Sequence, residues 1–241
     1  MKTALIGLGR IGWQYHLPQI VKHEGFELAA VVDTNPERLR EAEVAYGVRG
    51  YADAAEMLVK EAPELVVVAS PTVFHRQHAM DALRAGAHVF LDKPMACSLS
   101  EAREIVDRAR ACNRKLMVYQ PHRATAEAVA ARQVLESGLL GRVYMIRRAS
   151  NGYNRRADWQ AFEKNGGGML SNYGAHYIDQ LLYLTGGVPE EVRCWRMREV
   201  SLGDADDVVK VIIRTANGPL LDVDISQAAA LSAEPWLLLG T

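Results

Sequence analysis

The chain has 241 residues, long enough for one large domain or two ordinary ones that each bury a core. Its 28 basic and 29 acidic side chains nearly cancel and no charged tail stands apart, which speaks against a nucleic acid or a membrane surface as partner and leaves small ligands. Cys97, Cys112 and Cys194 are odd in number and lack metal-type spacing, so a reducing, cytoplasmic setting with no metal site is expected. Gly7, Gly9 and Arg10 interrupt the apolar start too early for a secretion signal, and no run approaches a membrane span.

In chain order, "ALIGLG", "FELAAVVD", "ELVVVASP", "HVFLDKP" and "KLMVYQ" are apolar runs of strand length. They are continuous rather than alternating, as in a parallel sheet covered on both faces. Helical periods fall between them at residues 36–46, 75–85 and 100–112, with residues 33–35 and Ser98 or Ser100 as caps and Gly47 and Gly86 as stops. This alternation predicts a doubly wound α/β Rossmann domain over residues 1–120. After a helical segment at 124–137, ended by Gly138, the texture changes. "RVYMIRRAS", "EEVRCWRMREV", "DDVVKVIIRT" and "PLLDVDISQA" mix apolar and polar residues in near alternation, and "TANGPL" signals a hairpin. Residues 121–241 therefore read as an α+β domain with a mostly antiparallel open sheet wet on one face, with Pro121 in the connection.

"GLGRIG", residues 7–12, follows the first strand and precedes a helix, and Asp33 ends the next strand. Gly7 permits a tight turn, Gly9 lets backbone approach a pyrophosphate, and Gly12 lets helix and strand pack closely. Arg10 and Ile11 complete the loop, whose helix N-terminus stabilises negative charge. Asp33 would accept hydrogen bonds from the adenosine ribose and repel a 2′-phosphate, which favours NAD over NADP, with Arg38 nearby as the opposing feature. "ASPTVFH" and "LDKP" lie at carboxyl ends of strands, the edge where such sheets bind ligands, so Ser70, Pro71 and Lys93 join the cofactor set and His75 either lines the nicotinamide pocket or begins its helix. Pro94 restricts Lys93 to extended backbone, and a lysine fixed at a strand end can donate to a substrate oxygen.

Three stretches in order, residues 7–12, "ASPTVFHRQHAMDALRAGAHVFLDKP" and "GGGMLSNYGAHYID", resemble the glucose-fructose oxidoreductase, inositol dehydrogenase and MocA family over essentially the whole chain. The resemblance implies an NAD(P)-dependent dehydrogenase of sugars, cyclitols or related polyols, a homo-oligomer joined through the C-terminal sheet, and a second domain shortened after "EPWLLLGT". A hydrophobic strand edge left there invites a partner chain. Lys93 matches the lysine of the family's Glu-Lys-Pro motif, with Asp92 in place of glutamate. His176 matches the histidine of the Gly-Gly-Gly motif, while Asn172 stands where an aspartate is usual.

Glycines 166–168 would let the backbone turn sharply before a helix that sets Asn172, His176 and Asp179 on one face. Histidine suits the proton transfer that accompanies hydride transfer, so His176 is the expected general acid/base, Lys93 the donor to the same oxygen, Asn172 a positioning group and Asp179 an orienter of the imidazole. The polar loop at 151–165 offers Tyr153 and Trp159 for stacking on a sugar, and Asn154, Arg155 and Arg156 for its hydroxyls or an acid group. The competing expectation is a dinucleotide- or sugar-binding relative that has lost turnover through Asn172 and the missing strands.

Overall fold

The apolar runs of the first half form six parallel strands in a computed structural model that describes residues 1–241. They are β1 (Lys2–Ile6), β2 (Glu27–Val32), β3 (Arg49–Tyr51), β4 (Leu65–Val68), β5 (His88–Leu91) and β6 (Leu116–Val118), in the order β3-β2-β1-β4-β5-β6. That order reverses direction between β1 and β4, the place where such sheets open a ligand crevice at their carboxyl ends. Both faces are covered, as the continuous apolar runs require. Ala4, Ile6, Val66, Val68, Val89 and Leu91 pack on one side, and Leu5, Val31 and Val67 on the other.

Helices α1 (Leu17–Lys22), α2 (Pro36–Tyr46), α3 (Ala54–Glu61), α4 (His75–Arg84) and α5 (Leu99–Ala111) join these strands. Asn35 caps α2 through Glu37 N–H, and Ser98 caps α5 through Glu101 N–H, each worth about 1 kcal/mol. Gly47, at φ 65°, ends α2 in the left-handed conformation that favours glycine. Two elements lie outside the sequence reading. Strand β3 has three residues and a central Gly50, too short for any period to show, and α3 is a two-turn helix capped by Asp53.

The unit Met1–Tyr119 is followed by a second, Gln120–Thr241. It opens with a 3-10 turn, Pro121–Ala124, and α6 (Ala126–Glu136), then runs through β7 (Met145–Asn151), α7 (Ala175–Thr185), β8 (Pro189–Met197), β9 (Val208–Thr215), β10 (Leu220–Ser226) and β11 (Trp236–Leu239). The strand order is β11-β7-β10-β9-β8, antiparallel except for the β10–β7 pair. One face carries Ile146, Val209, Val211, Ile213, Leu221, Val223 and Ile225, packed with Tyr177 and Leu181 of α7. The other face carries Lys210 bridging Asp222 and Asp224, the polar half of the alternation. No helix is long and apolar enough to cross a membrane.

Candidate functional site

In the first unit the residues 7–12 loop has the shape of a dinucleotide cradle. Gly7 has φ +99°, and a Cβ there would lie 2.7 Å from the Ala69 carbonyl and from Ser70 N, so the loop turns directly against the end of β4. A Cβ on Gly12 would lie 1.9 Å from Gly7 O, which makes that position obligatory for a helix packed this close to the turn. At Gly9 an added Cβ meets nothing within 4 Å, so the loop's exposed backbone faces open space. Arg10 is exposed beside it and Ile11 half-buried. The Asp33 carboxylate ties this loop to β2: Leu8 N–H donates to one oxygen at 2.7 Å and Asn35 N–H to the other at 2.8 Å. Each oxygen keeps a second lone pair for a ribose hydroxyl. Arg38 is engaged elsewhere, 2.7 Å from Glu41 and over the Trp13 ring.

His75 begins α4. It is 1% exposed, with Nδ1 2.8 Å from Pro94 O and Nε2 2.8 Å from Ser70 O, so its role is to brace the two strand-end loops that carry Ser70, Pro71 and Lys93. Burial pushes its imidazole below the ordinary value against the pull of those carbonyls. Lys93 is half-buried just past the end of β5.

In the second unit the three glycines answer to their surroundings. Gly166 has φ 71°, and a Cβ on Gly167 would lie 2.3 Å from Gln160 O. Gly168, at φ +100°, leaves no room for a Cβ beside the Asp206 carboxylate. Asp206 in turn accepts from Leu170 N–H at 2.8 Å and from Arg196 Nε at 2.9 Å, anchoring the start of the helical segment. That segment begins as a π-type turn, Leu170–Gly174, before α7 proper. A π-type turn holds more residues than the 3.6-residue period that the four- and three-residue spacing assumes. Asn172 sits in the π turn, His176 in the first turn of α7, and Asp179 turns to Arg123 in a two-bond ion pair with contacts of 2.8 and 2.5 Å. Asp179 therefore does not orient the imidazole.

Gln120 and His122 do contact it. His176, 8% exposed, has Nδ1 3.1 Å from Gln120 Oε1 and stacks face to face on His122, centroids 3.9 Å apart and planes within 5°. Neither residue was singled out from sequence. "YQPH" belongs to no spacing motif, although its place just after a sheet strand's carboxyl end was a usable signal.

In the 151–165 loop, Tyr153 and Trp159 are exposed, as stacking platforms need to be. Of the adjacent arginines, Arg156 pairs with Asp158 at 2.8 Å, while exposed Arg155 donates through Nε to Val200 O at 3.3 Å.

The profile described as "Oxidoreductase family, NAD-binding Rossmann fold" matches residues 1–120, and the GFO/IDH/MocA C-terminal domain profile matches residues 128–241. The chain belongs to the GFO/IDH/MocA oxidoreductase family. Among curated relatives, D-glucoside 3-dehydrogenase of Escherichia coli K12 is 30% identical over 190 residues, covering 77% of this chain and 54% of its own length. Among solved structures, the NAD-binding protein from Listeria innocua superposes with TM-score 0.92 at 26% identity, over all of this chain and 71% of that one. The WlbA dehydrogenase from Bordetella pertussis, in complex with NADH and UDP-GlcNAcA, gives 0.90 at 27% identity, over all of this chain and 75% of that one. The chain thus spans little more than half the length of the curated relative.

For this GFO/IDH/MocA member the cradle, Asp33 and the β1–β4 crevice fit NAD. Two positions depart from the motifs that carry the resemblance. Asp92, buried, accepts from Lys93 N–H at 2.7 Å and lies 3.8 Å from His16 Nε2, so the shorter acid holds the backbone of the lysine loop. Asn172 donates at 3.3 Å to Gln160 Oε1, which also receives Arg156, so the amide belongs to a hydrogen-bonded network at the base of the 151–165 loop.

Proposed function

We propose that this chain carries the catalytic core of an NAD-dependent dehydrogenase acting on a CH–OH group of a sugar, cyclitol or related polyol. The presence of an NAD cradle in one unit and of a buried, hydrogen-bonded imidazole in the first turn of α7 in the other supports the reading. When bound, the nicotinamide takes up or releases the hydride. His176 accepts the hydroxyl proton in oxidation and returns it in reduction. Lys93 donates to the same oxygen and stabilises its developing negative charge. Asn172 positions substrate without taking a proton, and Tyr153 and Trp159 stack on the sugar's apolar face while Arg155 bonds its polar edge.

The test is to mix the chain with NAD and a panel of sugars and cyclitols and follow absorbance of the reduced cofactor. Turnover is expected, with His176→Ala depressing kcat by about 10²-fold or more and leaving NAD affinity near wild type. NAD binding with no turnover on any compound, unrestored by Asn172→Asp, would favour the sensor reading that the Asn172 departure suggests.

We place the protein in the cytoplasm on the strength of its three unpaired thiols. We also propose that copies associate through the open sheet face, where Trp195 and Met197 of β8 are exposed.

A further inference from the structure

We propose that Gln120 is a positioning residue that fixes the tautomer of His176, keeping the proton of the neutral ring on Nδ1 and making Nε2 the nitrogen that handles the substrate proton. The inference deepens the acid/base reading of His176 and rests on it for its catalytic meaning.

The argument begins with a carbonyl. Gln120 Nε2 lies 3.3 Å from Ala175 O, and a carbonyl oxygen can accept but never donate. The amide nitrogen must therefore face Ala175, because the flipped amide would set two oxygens against each other. This puts Gln120 Oε1 toward His176 Nδ1 at 3.1 Å. An amide oxygen is also an acceptor alone, so Nδ1 carries a hydrogen. A neutral imidazole has one donor and one acceptor nitrogen, which leaves Nε2 with the lone pair.

The surrounding braces hold this geometry. Gln180, one turn after His176 on α7 and buried, donates through Nε2 to His122 O. One glutamine thus runs from the 3-10 segment to α7 and the other from α7 back to it, with the two imidazoles stacked between them. The Arg123–Asp179 pair adds a third tie between the same elements. Within this unit the titratable and charged groups around the rings include His122 on the face of His176, Tyr177 beside His122, Arg148 over Tyr177, and that ion pair. The Gln120 group that meets Nδ1 is a neutral amide, which orients the ring without itself adding a fixed negative charge.

The experiment uses the full 241-residue chain labelled with 15N-histidine, His176 being assigned by its loss in His176→Gln. At a pH where the ring is neutral, wild type should show a protonated Nδ1 and an unprotonated Nε2. Gln120→Met should return the ring to the Nε2–H form that free imidazole side chains prefer, and lower kcat by about 10-fold or more with little change in KM. Gln120→Glu, nearly isosteric, keeps the acceptor, should hold the Nδ1–H form, and should move the acid limb of the kcat profile to higher pH because a carboxylate stabilises the imidazolium. An Nε2-protonated ring in wild type, or the Nδ1–H form surviving in Gln120→Met, would overturn the proposal. Should His176→Ala leave turnover intact, the acid/base reading fails, and the nitrogen spectra still decide the tautomer. An Nδ1–H ring in wild type with unaltered kcat in Gln120→Met would overturn the catalytic part.

Discussion

Alanine at Gly9 and alanine at Gly12 should damage the same loop in two separable ways. At Gly12 the new Cβ would stand 1.9 Å from Gly7 O, a backbone atom that cannot swing aside, so helix or turn must shift. Forced overpacking of that kind costs about 1–3 kcal/mol or more, present with or without cofactor. At Gly9 the new Cβ meets nothing within 4 Å, so the unliganded fold should keep its stability. The methyl group then occupies the side from which a pyrophosphate approaches. Losing one backbone bond to a charged group is worth about 1.5–3 kcal/mol, roughly a ten- to hundredfold weaker Kd. With NAD at a hundred times its wild-type Kd, ligand binding adds about 2.7 kcal/mol to stability; the same NAD concentration would add about 1.4 or about 0.4 kcal/mol after a ten- or hundredfold loss. Urea unfolding of both variants and wild type, with and without NAD, reads these differences as midpoint shifts. An undiminished NAD-dependent shift in Gly9→Ala, or a Gly12→Ala chain as stable as wild type without NAD, would refute the reasoning.

Asp179→Asn should cost no more than about 1 kcal/mol, as for a partly exposed ion pair, and leave the chemical step near wild type; a large fall in kcat would return Asp179 to the imidazole. Burial holds His75 below its ordinary value of 6.5, so below that pH the unfolded chain binds a proton that the folded one refuses. Stability should be full above about 6.5 and fall as pH drops, by at most about 1.4 kcal/mol per pH unit for this group, and His75→Gln should flatten the slope in urea titrations at several pH values. Trp195→Glu on exposed β8 should yield a smaller species in sedimentation velocity with unit folding intact by circular dichroism, and an unchanged species would remove the sheet face as the contact between copies.

Residues whose role is set by their immediate neighbours were readable in sequence. The continuous runs of β1, β2, β4 and β5 announced a sheet buried on both faces, and Asn35, Ser98 and Gly47 marked helix ends by chemistry that acts within a few residues. Residues whose role depends on distant partners were not. Helical spacing alone places Asp179 near His176, but only the fold supplies Arg123, and the π-type turn at Leu170–Gly174 leaves no trace in a 3.6-residue period. Gln120 likewise gains its meaning from Ala175 and His176, some fifty residues on. Asp206 explains the glycine at 168 from nearly forty residues away.

The placement of β7 has a consequence for how the second half of the chain acquires its shape. This strand leaves the ribosome ahead of α7 and of β8 to β11, yet lies between β10 and β11, which follow β8 and β9 in the chain. Arg142 N–H closes the sheet's corner on Thr241 Oγ1 across 99 residues. The first half can assemble from neighbouring crossovers during synthesis, whereas β7 must wait unpaired until β10 and β11 have both emerged, and over that interval nascent-chain chaperones would find their longest opportunity to bind.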